Sequence, residues 1–262
     1  MTNNSQNGNC MGFVLYYPSK KIVKMIQSLS NANKVYIFDN TPLSSHALKV
    51  SDLDYRCDNY NRGLGFGLKS ICLKAYNDGY KGIIFFDQDT YFTDETIKYI
   101  EYFVDRNNSF LKKYSSITFN NKNKIPCSKD TLLSINSGTF FFLQKLKNIG
   151  WHNSSFFVDC VDYEYCFRAR KNGFLLLEHS CTPGFDHFVS QDADLIPFFG
   201  KKYSLLRSYS KIRVKGTLKN ATKLLLLAIK DKDIHFSLSI FKFIVIYISS
   251  QTAATFISKI RT

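Results

Sequence analysis

The chain has 262 residues, 45% of them hydrophobic and 16% aromatic, which excludes a disordered protein and allows one α/β domain with its own core plus an appendage. Seven scattered Cys without a CxxC pair argue against a disulfide framework and a zinc site. The polar, Asn-rich first ten residues lack a secretory pattern, so a reducing cytosol is expected. The formal charge of +14 is uneven: residues 201–262 carry thirteen Lys or Arg against two Asp, a net of +11, which leaves +3 for the first 200.

In chain order, a short apolar run over 12–16 is closed by Pro18. Ile22, Val23, Met25, Ile26 and Leu29 follow at helical spacing, and a second apolar run over 35–38 stops at Asp39-Asn40-Thr41-Pro42. This predicts a βαβ unit. Asn61-Arg62-Gly63-Leu64-Gly65-Phe66-Gly67 precedes a helix expected over 68–76 and ended by Gly79. Glycines there would let backbone approach a ligand, and a helix N-terminus attracts phosphate. A buried strand over 82–86 ends in Asp87-Gln88-Asp89, and Thr93 opens a helix with Glu95 in its first turn. Such alternation implies a mostly parallel sheet covered by helices. Strands are expected over 132–136 and 139–143 around Ser137-Gly138, a helix over 159–171 ended by Gly173, and a strand over 174–177. From 201 onward the pattern reads as helices, first basic and then apolar. The expected division is therefore a catalytic domain over 1–200 and a helical extension over 201–262.

Two carboxylates one residue apart at the end of a buried strand place Asp87 and Asp89 on the carboxyl rim of the sheet, where open α/β folds bind ligands. Hard oxygen donors there suit Mg²⁺ or Mn²⁺ bridging a diphosphate; the plainer reading is the start of a loop. Asp39-Asn40 ends its strand in the same way, as contacts for a base or ribose or as an ordinary turn before Pro42. Asp162 and Glu164 follow an aromatic run. Glu164 and Arg168 have the spacing of a helical ion pair, and Asp162 is either an N-terminal cap or a catalytic base. His187, among aromatics, is either a packed core residue or a ligand.

Taken in order from Gly12 to Arg207, these segments resemble the family 2 glycosyltransferases of the GT-A type, and within them bacterial rhamnosyltransferases. Residues 14–18 resemble the opening VTYNP segment, with Leu15 and Tyr17 in place of its Thr and Asn. Asp39-Asn40 resembles the DN motif, and 61–69 is similar to NxGxAxAxN with Lys69 at its last position. Asp87-Gln88-Asp89-Thr90 is similar to LDQDS, and Asn136-Ser137-Gly138 to (N/I)SG. Residues 157–168 resemble FIDxVDxEWxxR with Tyr165 for Trp, and 203–208 resemble YYxxRN with Ser204 and Ser208 for Tyr and Asn.

The resemblance implies a GT-A fold, a Rossmann-like mostly parallel sheet flanked by helices. It implies Asp162 as general base and Asp87, Asp89 and His187 around a divalent Mn or Mg. Nucleotide-sugar contacts are expected from Asp39, Asn40, Asn61, Gly63, Gly65, Asp87, Gln88, Asp89, Tyr203 and Arg207, and acceptor or supporting roles from Asn136, Ser137, Gly138, Glu164 and Arg168. The implied reaction is inverting transfer of a sugar from a nucleotide diphosphate donor to a glycan or lipid-linked acceptor of a bacterial surface polysaccharide, lipopolysaccharide or capsule. Rhamnose from dTDP-rhamnose is the first choice, with UDP-galactofuranose, UDP-galactose and UDP-glucose behind it.

Two other classes compete. A nucleotidyltransferase would carry a Gly-rich basic loop where Tyr16-Tyr17-Pro18 stands, and a non-enzymatic basic membrane-surface or nucleic-acid binding protein leaves Asp87, Asp89, Asp162 and His187 without a purpose. No nucleic-acid partner is expected. The apolar run 234–248 is shorter than the roughly 20 residues a bilayer span requires, and Lys242 falls in its middle. The basic and apolar tail is therefore expected to lie peripherally on the anionic inner face of the cell membrane; the alternative is packing against the catalytic domain or a second subunit.

Overall fold

The structure, a computed structural model, describes residues 8–42, 53–187, 195–198, 201–207 and 209–260, with side chains over 8–42, 53–185 and 209–257. Strand β1 (Asn9–Leu15), helix α1 (Lys20–Ser30) and strand β2 (Val35–Asp39) form the expected βαβ unit, with β1 and β2 parallel. Ser19 caps α1 by accepting from the Ile22 N–H, and Ile26 and Leu29 bury its inner face. Next come β3 (Leu53–Cys57), α2 (Leu64–Asn77), β4 (Gly82–Asp87), the short β5 (Thr90–Tyr91) and α3 (Asp94–Arg106). Helix α3 begins after Thr93, with Asp94 and Glu95 in its first turn where the helix dipole favours acids.

The second half contributes β6 (Tyr114–Phe119), β7 (Cys127–Asp130), β8 (Thr139–Phe142), α4 (Leu143–Ile149), α5 (Val161–Lys171), β9 (Leu175–Ser180) and β10 (Asp186–His187). Among the described residues one sheet runs β3-β2-β1-β4-β8-β6-β9-β7. β8 is antiparallel to both β4 and β6, and the edge strand β7 is antiparallel to β9; the remaining pairs are parallel. Period-two alternation splits the core. Met11, Phe13, Leu15, Val35, Ile37, Ile84 and Phe86 join Ile26 of α1 and Ile97 and Ile100 of α3 in one layer. Phe38, Ile83 and Phe85 are also buried, as are Leu68 and Ile71 on α2, which packs on β1 and β2.

Helix α2 starts a turn earlier than its sequence pattern, because Gly65 and Gly67 are inside the helix rather than ahead of it. The segment 132–136 is irregular, not a strand. It is tied instead by side-chain bonds, Thr139 Oγ1 to Ile135 O and Thr131 Oγ1 to Leu133 O.

The chain divides into two compact units, Met1–His187 and Phe188–Thr262. The division falls ahead of residue 200 because a hairpin goes with the helices: β11 (Leu195–Phe198) pairs antiparallel with β12 (Lys201–Arg207). Residues 201–207 are thus strand where helix was expected. The helices that follow are α6 (Lys211–Lys230), capped by Ser210, and α7 (Ile234–Ile260), whose first turn is closed by Asp233 accepting from the Phe236 N–H. They pack along each other, with Thr217, Ala221, Leu224 and Ala228 buried on α6 and Phe236, Ile240 and Ala254 buried on α7. The Tyr247 hydroxyl meets Thr217, and the Tyr209 N–H donates to Gln251 Oε1.

The expected shortness of the apolar segment is corrected. Ile234–Ile257, 24 residues, is long and apolar enough by length and composition to cross a membrane, and only 17% of its apolar stretch is buried. The hydroxyls of Ser250, Thr252 and Thr255 donate to carbonyls of Tyr247, Ile248 and Gln251 within the helix, so the neutral polar residues of its second half neither end it nor add charge.

Candidate active site

The parallel strands β1, β2 and β4 end side by side, with Leu15 opposite Asp39 and Val14 opposite Asp87. Both acidic strand ends therefore open on one rim, as the sequence implied. There the chain crosses itself through a reciprocal pair: Gln88 Oε1 accepts from the Tyr16 N–H at 2.9 Å and Gln88 Nε2 donates to the Tyr16 carbonyl at 3.0 Å. A carboxylate at position 88 could make only the first of these bonds, which is a physical reason for an amide between Asp87 and Asp89. Tyr17, at φ 48°, is held next to it by its N–H to the Thr41 hydroxyl at 2.7 Å.

Asn136-Ser137-Gly138 braces the same turn from below. The Ser137 hydroxyl accepts from the Asp87 N–H at 3.0 Å and shares a hydrogen bond with the buried Thr90 hydroxyl. Gly138, at φ +70°, donates its N–H to the Phe85 carbonyl, and a Cβ there would strike Phe185 and the Phe119 carbonyl. Asn136 is 5% exposed, and its Oδ1 has no hydrogen-bond partner.

Asp162 comes to this rim on the first turn of α5. The N-cap position belongs to Cys160, in a left-handed conformation, and Asp162 Oδ1 accepts from the adjacent Tyr163 N–H at 2.9 Å. The cap reading of Asp162 is thereby removed. Burial, followed by the charges of Asp89 and Asp162, pushes the Asp87 carboxyl up to about 7. Burial also raises Asp162 to about 7, with a smaller push from Asp159 and an opposing pull from its backbone hydrogen bond. Asp87 thus feels the charges of both Asp89 and Asp162, and burial disfavours the charged forms of Asp87 and Asp162.

Such a donor set fits a hard divalent cation, whose charge would restore the ionised forms. Among the described residues no three His, Cys, Asp or Glu side chains cluster to hold a metal by themselves. The backbone of His187 pairs with Thr90 in the β5–β10 ladder, one residue from Asp89.

The other expected site residues sit as follows. Asp39 is 1% exposed; its carboxylate accepts from the Thr41 N–H and the Tyr55 hydroxyl. Asn40 is 4% exposed, and its Oδ1 accepts from the Arg62 N–H. Both are engaged in holding the chain. Asn61 Oδ1 takes the Gly63 N–H. Gly65 has a packing cause: a Cβ there would meet the carbonyls of Asn153 and Phe156, so the start of α2 rests on the loop leading to α5. Glu164 and Arg168 form the expected ion pair at 2.7 Å, and Arg168 also donates to the carbonyls of Ile149, Gly150 and Trp151, tying α5 to the end of α4. Tyr203 and Arg207 lie on β12 of the C-terminal unit.

Sequence reasoning missed Tyr16, which contributes only its backbone and so leaves no residue-type signal; of the acceptor or supporting roles expected of Ser137, its bonds to the Asp87 turn are of the supporting kind. A cleft of about 370 Å³ between α2 and strands β2 and β3, against Tyr36, Arg56, Phe66 and Lys74, is lined by none of the rim acids Asp87, Asp89 and Asp162.

No protein-family model and no curated protein matches the sequence. Two solved structures are similar in fold. One is S. aureus TarS 1-349 in complex with UDP-GlcNAc, with a TM-score of 0.52 at 14% identity over 84% of this chain and 66% of that one. The other is GalNAc-T7 with UDP, GalNAc and Mn²⁺, with a TM-score of 0.54 at 8% identity over 86% of this chain and 48% of that one. The chain spans less than two thirds of either structure. The likeness is one of fold, and it bears out the expected GT-A, Rossmann-like arrangement of a mostly parallel sheet flanked by helices.

Proposed function

We propose that the chain is a divalent-metal-dependent, inverting glycosyltransferase. The observation that carries this reading is that Asp87, at the carboxyl rim of the sheet, lies within reach of the charges of Asp89 and Asp162, with Asp87 and Asp162 raised to about 7. The similar structures hold UDP-GlcNAc in one case and UDP with GalNAc and Mn²⁺ in the other, which supports a nucleotide diphosphate sugar as donor.

Asp87, Asp89 and His187 would hold Mn²⁺ or Mg²⁺, which when bound supplies positive charge against the departing diphosphate. Asp162 takes the proton from the acceptor hydroxyl while that oxygen forms its bond to the anomeric carbon. The bond from that carbon to the diphosphate oxygen breaks on the opposite face, and the leaving group keeps the electron pair. With a cation bound, the Asp162 carboxyl would be held in the ionised form that a general base requires. Gln88 and Ser137 keep the acidic turn in place. Asp39, Asn40, Asn61, Gly63 and Gly65 shape the nucleotide side, and Asn136, Gly138, Glu164 and Arg168 support the acceptor side. By the resemblance to rhamnosyltransferases the first-choice donor is dTDP-rhamnose, with UDP-galactofuranose, UDP-galactose and UDP-glucose behind it, and the acceptor is a glycan or lipid-linked glycan of a bacterial surface polysaccharide.

The C-terminal unit is assigned to the cytoplasmic face of the membrane as a peripheral element. Spanning by α7 would drag α6 into the hydrocarbon, and α6 carries Lys211, Lys215, Lys219 and Lys223 on its exposed side. Ile234, Leu238, Phe241, Val245 and Ile248 are exposed on α7 at alternating steps of four and three, an apolar stripe suited to lying on lipid.

A screen of nucleotide sugars for Mn²⁺-dependent hydrolysis or transfer tests the assignment. Turnover of dTDP-rhamnose above its analogues is expected, and inertness toward every nucleotide sugar would reject the enzyme reading.

A further inference from the structure

A second cleft, of about 130 Å³, is lined by Thr118, Asn120, Lys122, Tyr163 and Glu178 together with Leu133 and Ile135. Thr118 pairs with Glu178 across β6 and β9, and Asn120 follows the end of β6, so these groups stand on the same carboxyl rim as Asp87 but farther along the sheet. The cleft reaches the proposed base through Tyr163, the residue after Asp162, and the nearby Asp162 charge adds to burial in raising the Tyr163 phenol. Ile135 leads directly to Asn136, whose buried Oδ1 lacks a partner.

The chemistry of the lining is specific. Glu178 accepts from Asn120 Nδ2 at 2.8 Å and from Lys122 Nζ at 2.9 Å, and Lys129 reaches its other oxygen at 3.3 Å. Although burial pushes this carboxyl up, the two ammonium groups hold it below the usual range, so it stays an ionised acceptor. Asn120, 4% exposed, is fixed by the Lys122 N–H and the Ser180 hydroxyl on its Oδ1. Preorganised acceptors beside aliphatic and aromatic surface suit a molecule with hydroxyls on its edge and C–H groups on its face.

We infer that this cleft is the subsite for the acceptor, and that it receives a sugar ring whose hydroxyls hydrogen-bond Glu178 and whose face rests against Tyr163. The inference depends on the transfer reading above, and its test separates the two. The full-length protein is titrated with a panel of octyl glycosides, followed by saturation-transfer NMR. The same samples are titrated with dTDP-rhamnose and Mn²⁺ by calorimetry.

At least one octyl glycoside is expected to bind the wild type. Tyr163→Ala and Glu178→Gln should each weaken it tenfold or more, and donor affinity should stay within a few fold, which also shows that the variants fold. Equal glycoside binding by wild type and both variants overturns the subsite, as does a donor-binding wild type that takes no glycoside. Absence of donor binding with glycoside binding at the cleft instead strikes the transfer reading and leaves a carbohydrate site.

Discussion

The acidic rim of the N-terminal unit and the outer face of α7 depart from ordinary burial in opposite directions. At the rim, carboxylates are sunk where charge is disfavoured, and Asp87 and Asp162 rise to about 7 in consequence. On α7, Ile234 is 68% exposed and Leu238 62%, apolar groups left in water along a stretch, Ile234–Ile257, whose one Lys or Arg is Lys242. Each region is costly by itself and each would be relieved by a complementary partner, a cation and diphosphate in the first case and lipid in the second. The comparison teaches that function here is carried where the core rule fails, and that the chemistry of each failure names the class of partner.

The largest expected effect is at the rim. Asp162→Asn should lower transfer by about 10²–10⁴-fold, the usual worth of a general base, with donor affinity changed only a few fold. Steady-state kinetics with donor titration checks this; full activity in the folded variant would leave Asp162 as a helix-end residue.

On the opposite side of the comparison, Phe241→Glu with Val245→Glu should cut flotation on anionic vesicles at low salt several-fold and leave donor binding unchanged, because both side chains are exposed on α7. If flotation is the same with and without the substitutions while the chain self-associates, the stripe belongs to a second copy.

The smallest effect is on stability. His152 is 1% exposed with no partner on either ring nitrogen, and burial, helped by the positive charge of Arg168, lowers it to about 3. The unfolded chain binds this proton below about 6.5 and the folded chain does not until about 3, so stability falls as pH drops through that window. Melting temperatures of wild type and His152→Phe should diverge from pH 7 to pH 4, with the wild type losing more; parallel curves would remove His152 from the acid response.

Much of the rim was legible in sequence because strand ends announce themselves. An apolar run closed by Asp39 or by Asp87-Gln88-Asp89 fixes both the element and its carboxyl end, and Glu164 and Arg168 declare their ion pair by spacing. Other strands were hidden by composition. β6 reads Tyr-Ser-Ser-Ile-Thr-Phe and β7 Cys-Ser-Lys-Asp, and neither looks buried or alternating, yet every residue of β6 is buried between β8 and β9. Leu132, Leu133 and Ile135 suggested a strand but lie in the irregular segment beside the second cleft. The basic residues 201–207 suggested a helix because charge says nothing of the hairpin partner at 195–198. The glycines at 63 and 65 were read as room for a ligand; a Cβ at either would also meet backbone of the 153–157 segment, about ninety residues away, and no local pattern reports such a contact.

The central claim is that the converging acids form a metal-dependent donor site, and calorimetry of dTDP-rhamnose and dTDP binding, with and without Mn²⁺, on wild type and Asp89→Ala tests it most directly. The account predicts binding by the wild type that strengthens at least tenfold with Mn²⁺, and loss of that Mn²⁺ effect in Asp89→Ala. Nucleotide affinity that is indifferent to Mn²⁺ in the wild type, or a Mn²⁺ effect that survives intact in Asp89→Ala, would contradict it.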